Sequence, residues 1–170
     1  MKYQTSLLLP IYSAALTSCI AQKQTIVSVE DIPGARKVDI KIAGQAFTSY
    51  IWPESLEKPV LYPLRTSEGT IITRGFPLDP RPGERVDHPH HVGCWLNYGN
   101  VNGLDFWNNS YAIPDEQKNK YGKIVHEKVL STQSGDGKGM LEVICSWQNS
   151  EGHELLKEET KFEFLSGKDY

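Results

Sequence analysis

The chain has 170 residues, 39% hydrophobic and 23% charged, with a formal net charge of −3, which fits one soluble globular domain or part of one. That mild acidity, with no stripe of Lys and Arg, excludes the electrostatic footprint of a nucleic-acid binder, so no nucleic-acid partner is expected. The 14 Gly and 10 Pro, with plentiful Val, Ile, Thr and Tyr, favour β structure over a helical bundle.

The first residues read as a targeting segment. Lys2 supplies a positive start, and Leu7 to Leu16 form an apolar run too short to span a bilayer. Leu16-Thr17-Ser18-Cys19 resembles the bacterial lipobox, which implies cleavage before Cys19 and a lipid on its sulfur. The alternative is ordinary cleavage after Ala21. Residues 1–21 are thus expected to be a signal peptide, and the product an exported periplasmic or outer-membrane lipoprotein. No later apolar run is long enough to cross a membrane, so contact with one is expected only through the signal peptide or the lipid. Cys94 and Cys145 then remain. They read as two separate buried thiols, although an oxidising compartment would allow them to pair.

From Thr25 the chain reads as strands. Thr25 to Val29 is a first strand and Asp31-Ile32-Pro33-Gly34 a turn. Val38, Ile40 and Ile42 alternate with Lys37, Asp39 and Lys41, the period of a half-buried strand. Gly44-Gln45 turns the chain into Ala46 to Trp52 as a hairpin. Pro59 to Leu64 and Thr70 to Thr73 are predicted as the next strands. Pro77, Pro80 and Pro82 make Gly75 to Gly83 a loop, and Asn109 to Gly122 is another. Ile124 to Thr132, Met140 to Gln148 and Glu154 to Leu165 are three further strands, with Ser134 to Gly139 as a flexible turn. Leu141, Val143, Cys145 and Trp147 share one face, as do Leu156, Thr160, Phe162 and Phe164. The residue types of Glu154 to Lys161 also suit a helix, but the alternation through Phe164 favours a strand. The fold class is therefore all-β, an antiparallel β-sandwich over residues 22–170. The last strand ends without a covering element, and such an open edge suggests a domain incomplete at its C-terminus.

The densest chemistry lies between Arg81 and Asn108, which hold three of the five His and two of the four Trp. In an extended Asp87-His88-Pro89-His90-His91, the rings of His88 and His90 share a face about 6.6 Å apart along the chain, while His91 points away unless the backbone turns. Pro89 stiffens the segment, and Asp87 is placed to orient an imidazole. Three readings stay open: acid–base or hydrogen-bonding histidines in a substrate cleft, a metal site without an evident third ligand of standard spacing, and rings satisfied structurally by backbone carbonyls. Trp95, Tyr98, Phe106 and Trp107 flank the cluster. An exposed indole beside polar groups suits the C–H face of a sugar ring, with Asn97, Asn100, Asn102 and Asp105 as a polar rim. The opposing reading makes the Trp residues core anchors and the Asn residues turn formers. Gly99 to Gly103 reads as a tight turn that brings Asp105-Phe106-Trp107 back beside His90 to Trp95. Arg74, Arg81 and Arg85 would suit clamping a carboxylate, as in a uronic acid.

Arg74-Gly75 with a following Pro, then Asp87-His88-Pro89-His90-His91-x-Gly93-x-Trp95, then Gly99-x-Val101-Asn102-Gly103-x-Asp105-Phe106-Trp107, resembles a bacterial family known as methane oxygenase PmoA-like. The resemblance runs from about Val38 to the C-terminus. Members are common among exported proteins of polysaccharide-degrading bacteria and usually carry a Gly-rich second half, which this chain lacks. The family's name does not give the mechanism, because a membrane methane oxygenase needs transmembrane helices. The family is similar to the galactose-mutarotase-like β-sandwich group, which includes sugar epimerases. Mutarotases pass protons to and from a pyranose through His and a carboxylate. The resemblance thus implies a carbohydrate or sugar-derived small molecule as partner, with hydrolysis, elimination or epimerisation as the chemistry. The alternatives are a non-catalytic carbohydrate-binding module and a metal-binding protein. Asp87, His88, His90, His91 and Asp105 are the catalytic candidates. Arg74, Trp95, Asn97, Asn102 and Trp107 are the substrate-binding ones. No cofactor and no resident metal is assigned.

Overall fold

The computed structural model describes residues 25–167, so the expected signal peptide, Cys19 and the last three residues lie outside the described part. Strands β1 (Ile26–Ile32), β2 (Lys37–Ile42), β3 (Gln45–Ile51) and β4 (Val60–Leu61) come first. A long connection with a short 3-10 helix (Asp115–Lys120) leads to β5 (Lys123–Gln133), β6 (Gly135–Asp136), β7 (Lys138–Gln148) and β8 (Glu154–Leu165). They form two antiparallel sheets, one in the order β4-β3-β2-β1-β6 and one in the order β5-β7-β8. The protein is an all-β antiparallel sandwich. Among the described residues, no helix is long and apolar enough to cross a membrane.

The alternating patterns decide which faces meet. Val38, Ile40 and Ile42 of β2 are buried, as are Val27 and Val29 of β1 and Tyr50 of β3. Opposite them lie Leu141, Val143, Cys145 and Trp147 of β7 with Phe164 of β8, and one apolar core joins the two sets. Each fully buried aliphatic side chain contributes roughly 1.5–3 kcal/mol by leaving water. β7 runs between two partners, so its ladder is satisfied on both edges and its face is covered by the other sheet. β8 is a strand throughout; its helix-favouring residue types yield to the pairing with β7.

Several boundaries differ from the sequence expectation. Asp31 and Ile32 are not in a turn, because they pair with Val38 and Lys37, and the turn begins at Pro33. Pro59 to Leu64 contributes only the two-residue β4, and Thr70 to Thr73 is no strand, with one isolated bridge between Arg65 and Ile71. Ser134 to Gly139 is not a free turn: Gly135 and Asp136 form β6, which pairs with β1. That pairing attaches the chain to the other sheet before β7 begins. In β8 a register shift opposite Trp147 and Gln148 turns Leu155 to the core and leaves Leu156 outside. Cys145 is buried, but Cys94 is exposed, and both thiols are free.

Candidate functional site

The connection between β4 and β5 is held in place by a few specific contacts. Leu61 and Cys94 exchange both backbone hydrogen bonds, at 2.8 and 3.0 Å, which docks the His-rich segment on the edge of β4. The approach is close because residue 93 is Gly. Its φ is +59°, and a Cβ there would lie 2.3 Å from the Leu61 carbonyl oxygen. Val101 and Leu104 likewise exchange hydrogen bonds around Asn102-Gly103, both at positive φ, the signature of a tight two-residue reversal. The Asn97 side-chain amide donates to the Phe106 carbonyl at 2.9 Å and ties the outgoing leg to the returning one. Phe106 goes inward and packs on Trp147, centroid to centroid 4.8 Å, so it anchors the return segment and is not part of the exposed platform.

The histidine segment is not extended. His88 has φ +49°, an uncommon conformation for a side chain-bearing residue, and the His91 N–H donates to the His88 carbonyl at 2.9 Å. Pro89 occupies the first corner of this turn, where its fixed φ fits. The turn brings His91 back to the side of its neighbours, against the extended expectation. The ring centroids of His88 and His91 are 5.1 Å apart, those of His90 and His91 4.3 Å, and those of His88 and His90 5.7 Å. Trp95 lies 5.9 Å and Trp107 6.3 Å from His91, and the two indoles are 5.6 Å apart. Three imidazoles and two indoles therefore form one continuous aromatic surface. Its outer members stay open to solvent, with Trp107 at 41% exposure.

Behind this surface sits Lys58, a residue the sequence reading did not single out. It is only 4% exposed. Its ammonium donates to the Trp107 carbonyl at 3.1 Å and lies 4.7 Å from the centroid of the Trp95 ring. Lys58 and His90 line a common small cavity of about 10 Å³, the scale of a single water. In a one-dimensional reading Lys58-Pro59 before a strand looks like an ordinary solvated lysine, and no signal in the chain marks it. Trp95 Nε1 is also buried, with no hydrogen-bond partner among the described residues.

The electrostatics follow from this packing. Burial, then the charges of His91, Lys58 and His88, lower the His90 imidazole to about 4, with Asp105 opposing. Burial and the charges of His88, Lys58 and Arg74 lower His91 as well. Burial lowers Lys58 to about 8 against the attraction of Asp105 and Glu57. For Asp87, desolvation pushes the carboxyl up but is outweighed by its hydrogen bond to His88 and by the charges of His88, Arg85 and Arg74, so it sits below the ordinary carboxylate range. At neutral pH the site thus holds an unprotonated His90 in front of a mostly protonated Lys58.

The other candidates divide by what they hold. Asp87 Oδ2 lies 3.2 Å from His88 Nδ1, a carboxylate–imidazole pair at the exposed edge of the cluster. Arg74 donates to the carbonyls of Arg85 and Asp87, both at 2.7 Å, and so fixes the backbone of the histidine turn. Arg81 is engaged with Thr73, Asp79 and Glu84, while Arg85 is open to solvent. Asp105 accepts from the Asn108 backbone and side chain at 2.9 and 2.7 Å, which closes the turn carrying Trp107. Asn102 is exposed at the tip of the tight reversal, away from the ring contacts just described. Among the described residues no group of three or more His, Cys, Asp and Glu is arranged to hold a metal ion.

Fold and site together define an antiparallel β-sandwich that displays an imidazole–indole cluster on the connection between its sheets. Residues 37–170 match the family of unknown function DUF6807, and the chain belongs to that family. No curated protein and no solved structure matches the chain.

Proposed function

We propose that this is an exported, carbohydrate-active protein of galactose-mutarotase-like sandwich type, akin to the PmoA-like proteins its motifs resemble, and anchored as a periplasmic or outer-membrane lipoprotein. The aromatic surface takes a sugar ring, and the histidines exchange protons with it in a hydrolysis, elimination or epimerisation. The observation that carries this reading is the convergence of His88, His90, His91, Trp95 and Trp107 on one partly exposed surface. The indoles suit stacking on C–H groups, and an imidazole lowered to about 4 is a free base at neutral pH. The Asp87–His88 pair supplies a carboxylate that orients an imidazole.

One observation favours a second reading, a non-catalytic carbohydrate-binding module. Both oxygens of Asp105 are occupied by Asn108, so this acid closes a turn and is not free to move a proton. A panel of neutral and acidic oligosaccharides, screened for binding by tryptophan fluorescence and for turnover by product analysis, tests both. In an enzyme, His90→Ala lowers turnover by roughly 10²–10⁴-fold and leaves much of the affinity. In a module there is no turnover to lose. Binding to none of the sugars overturns both readings.

A further inference from the structure

We propose that Lys58 is a positioning residue of this site: from behind, its ammonium fixes the Trp107 carbonyl and the Trp95 indole in one arrangement and sets a positive charge against the imidazoles in front. The inference rests on the location of the site given above but not on the identity of its ligand.

An ammonium withdrawn from water is costly unless it is well paired, and an apolar side chain of similar length would fill the same space without that cost. A lysine on a surface normally buries its stem and leaves its nitrogen in water. Lys58 buries its nitrogen as well, in contact with the Trp107 carbonyl and the Trp95 ring. One N–H goes to that carbonyl, and the ring face of Trp95 takes part of the remaining charge. These contacts join three segments: the approach to β4, the leg carrying Trp95, and the return turn carrying Trp107. The approach to β4 is itself fixed, since the Ile124 N–H at the start of β5 donates to the Glu57 carbonyl at 2.9 Å. The charged and titratable groups acting across this space are Glu57 from the same segment, Asp105 from the return turn, and His90 and His91 from the histidine turn. Neither carboxylate forms an ion pair with Lys58, so its charge is left to act on the aromatic cluster. Burial is the main reason that both neighbouring imidazoles lie below their ordinary range, and the Lys58 charge adds to it, with Asp105 opposing at His90 and Asp87 at His91.

The test needs no sugar, so its failure is separate from failure of the carbohydrate reading. The ring C–H signals of His88, His90 and His91 and the indole N–H signals of Trp95 and Trp107 are followed by NMR in the native chain, Lys58→Met and Lys58→Arg. In folded Lys58→Met the midpoints of His90 and His91 rise by roughly half a pH unit or more and both indole signals move. Lys58→Arg restores the charge and returns the midpoints toward the native values. A folded Lys58→Met with native histidine midpoints and native indole signals overturns the proposal. Should that variant not fold, the native chain is titrated from about pH 7 to about pH 9.5, across the discharge of Lys58. The Trp95 and Trp107 indole signals then shift together, and flat signals overturn the proposal.

Discussion

From Lys123 to Leu165 the backbone is satisfied by ladders, strand against strand, and side chains only decide which face is covered. Between β4 and β5 there are only isolated bridges and the short 3-10 helix. There the backbone is held by side chains and single reversals: Arg74 on two carbonyls, Asn97 on one, Lys58 on another, Asp105 at a turn. The sandwich draws its order from repeated equivalent contacts, so the loss of one weakens the whole but redirects nothing. The connection draws its order from unique contacts, so the loss of one moves specific rings. The candidate side chains sit in the second region because its irregular backbone turns His88, His90 and His91 toward one side.

The comparison is broken most severely from the sandwich side. Leu141, fully buried in β7, gives a destabilisation of about 2–5 kcal/mol as Leu141→Ala, read by urea unfolding. At a urea concentration where the variant is still folded, the NMR signals of His88, His90, His91, Trp95 and Trp107 remain those of the native chain. Displaced signals in the folded variant would show that the two regions are not independent.

Gly93→Ala acts from the other side. The added Cβ meets the Leu61 carbonyl at 2.3 Å with φ at +59°, so the docking on β4 must open. The expected cost is smaller, roughly 1–3 kcal/mol, but the ring signals of His91 and Trp95 shift strongly while those of Trp147 hold. A variant with native stability and native ring signals would mean that the histidine segment is not positioned through β4.

The gentlest probe is pH. His90 in the connection and His126 in β5 are both lowered to about 4, for His126 through burial, with Asp31 opposing. The His126 ring stacks on Trp52 at 3.9 Å, and its Nδ1 is 3.1 Å from the Tyr50 hydroxyl. Because both folded values lie below the ordinary 6.5, the unfolded chain takes up protons that the folded chain refuses as the pH falls from about 6.5 to about 4. The histidine contribution to stability therefore declines through that window, and the lowered carboxyls of Asp39, Glu84 and Asp87 carry the decline further below it. Urea midpoints across the window test this. His126→Gln flattens part of the decline without altering the ring signals of the histidine turn, and an unchanged slope would remove His126 from the account.

Much of the sandwich was legible in one dimension. The alternation at Val38, Ile40 and Ile42, and again from Leu141 to Trp147, is the direct imprint of a face turned to apolar surroundings. The misreadings cluster where pairing, not pattern, decides. Gly135 and Asp136 look like a turn by composition and become a strand because β1 offers them an edge. Thr70 to Thr73 has the composition of a strand but meets Leu64 to Thr66 through one isolated bridge and single hydrogen bonds, too few to make it one. For the site, His88, His90, His91, Trp95 and Trp107 were visible as an unusual density of imidazole and indole. Arg74, Asn97 and Asp105, candidates by composition, hold backbone or a turn.

The sequence by itself determined the all-β class and the longer alternating strands, because alternation and turn residues act locally. Only the tertiary structure decided that the histidine segment folds back on itself, that Trp95 and Trp107 share one surface, and that Lys58 lies beneath them. The physical reason is that these three outcomes depend on contacts between distant segments. A lysine becomes a buried cation only when other parts of the chain close over it, and nothing in its neighbours along the chain records that closure.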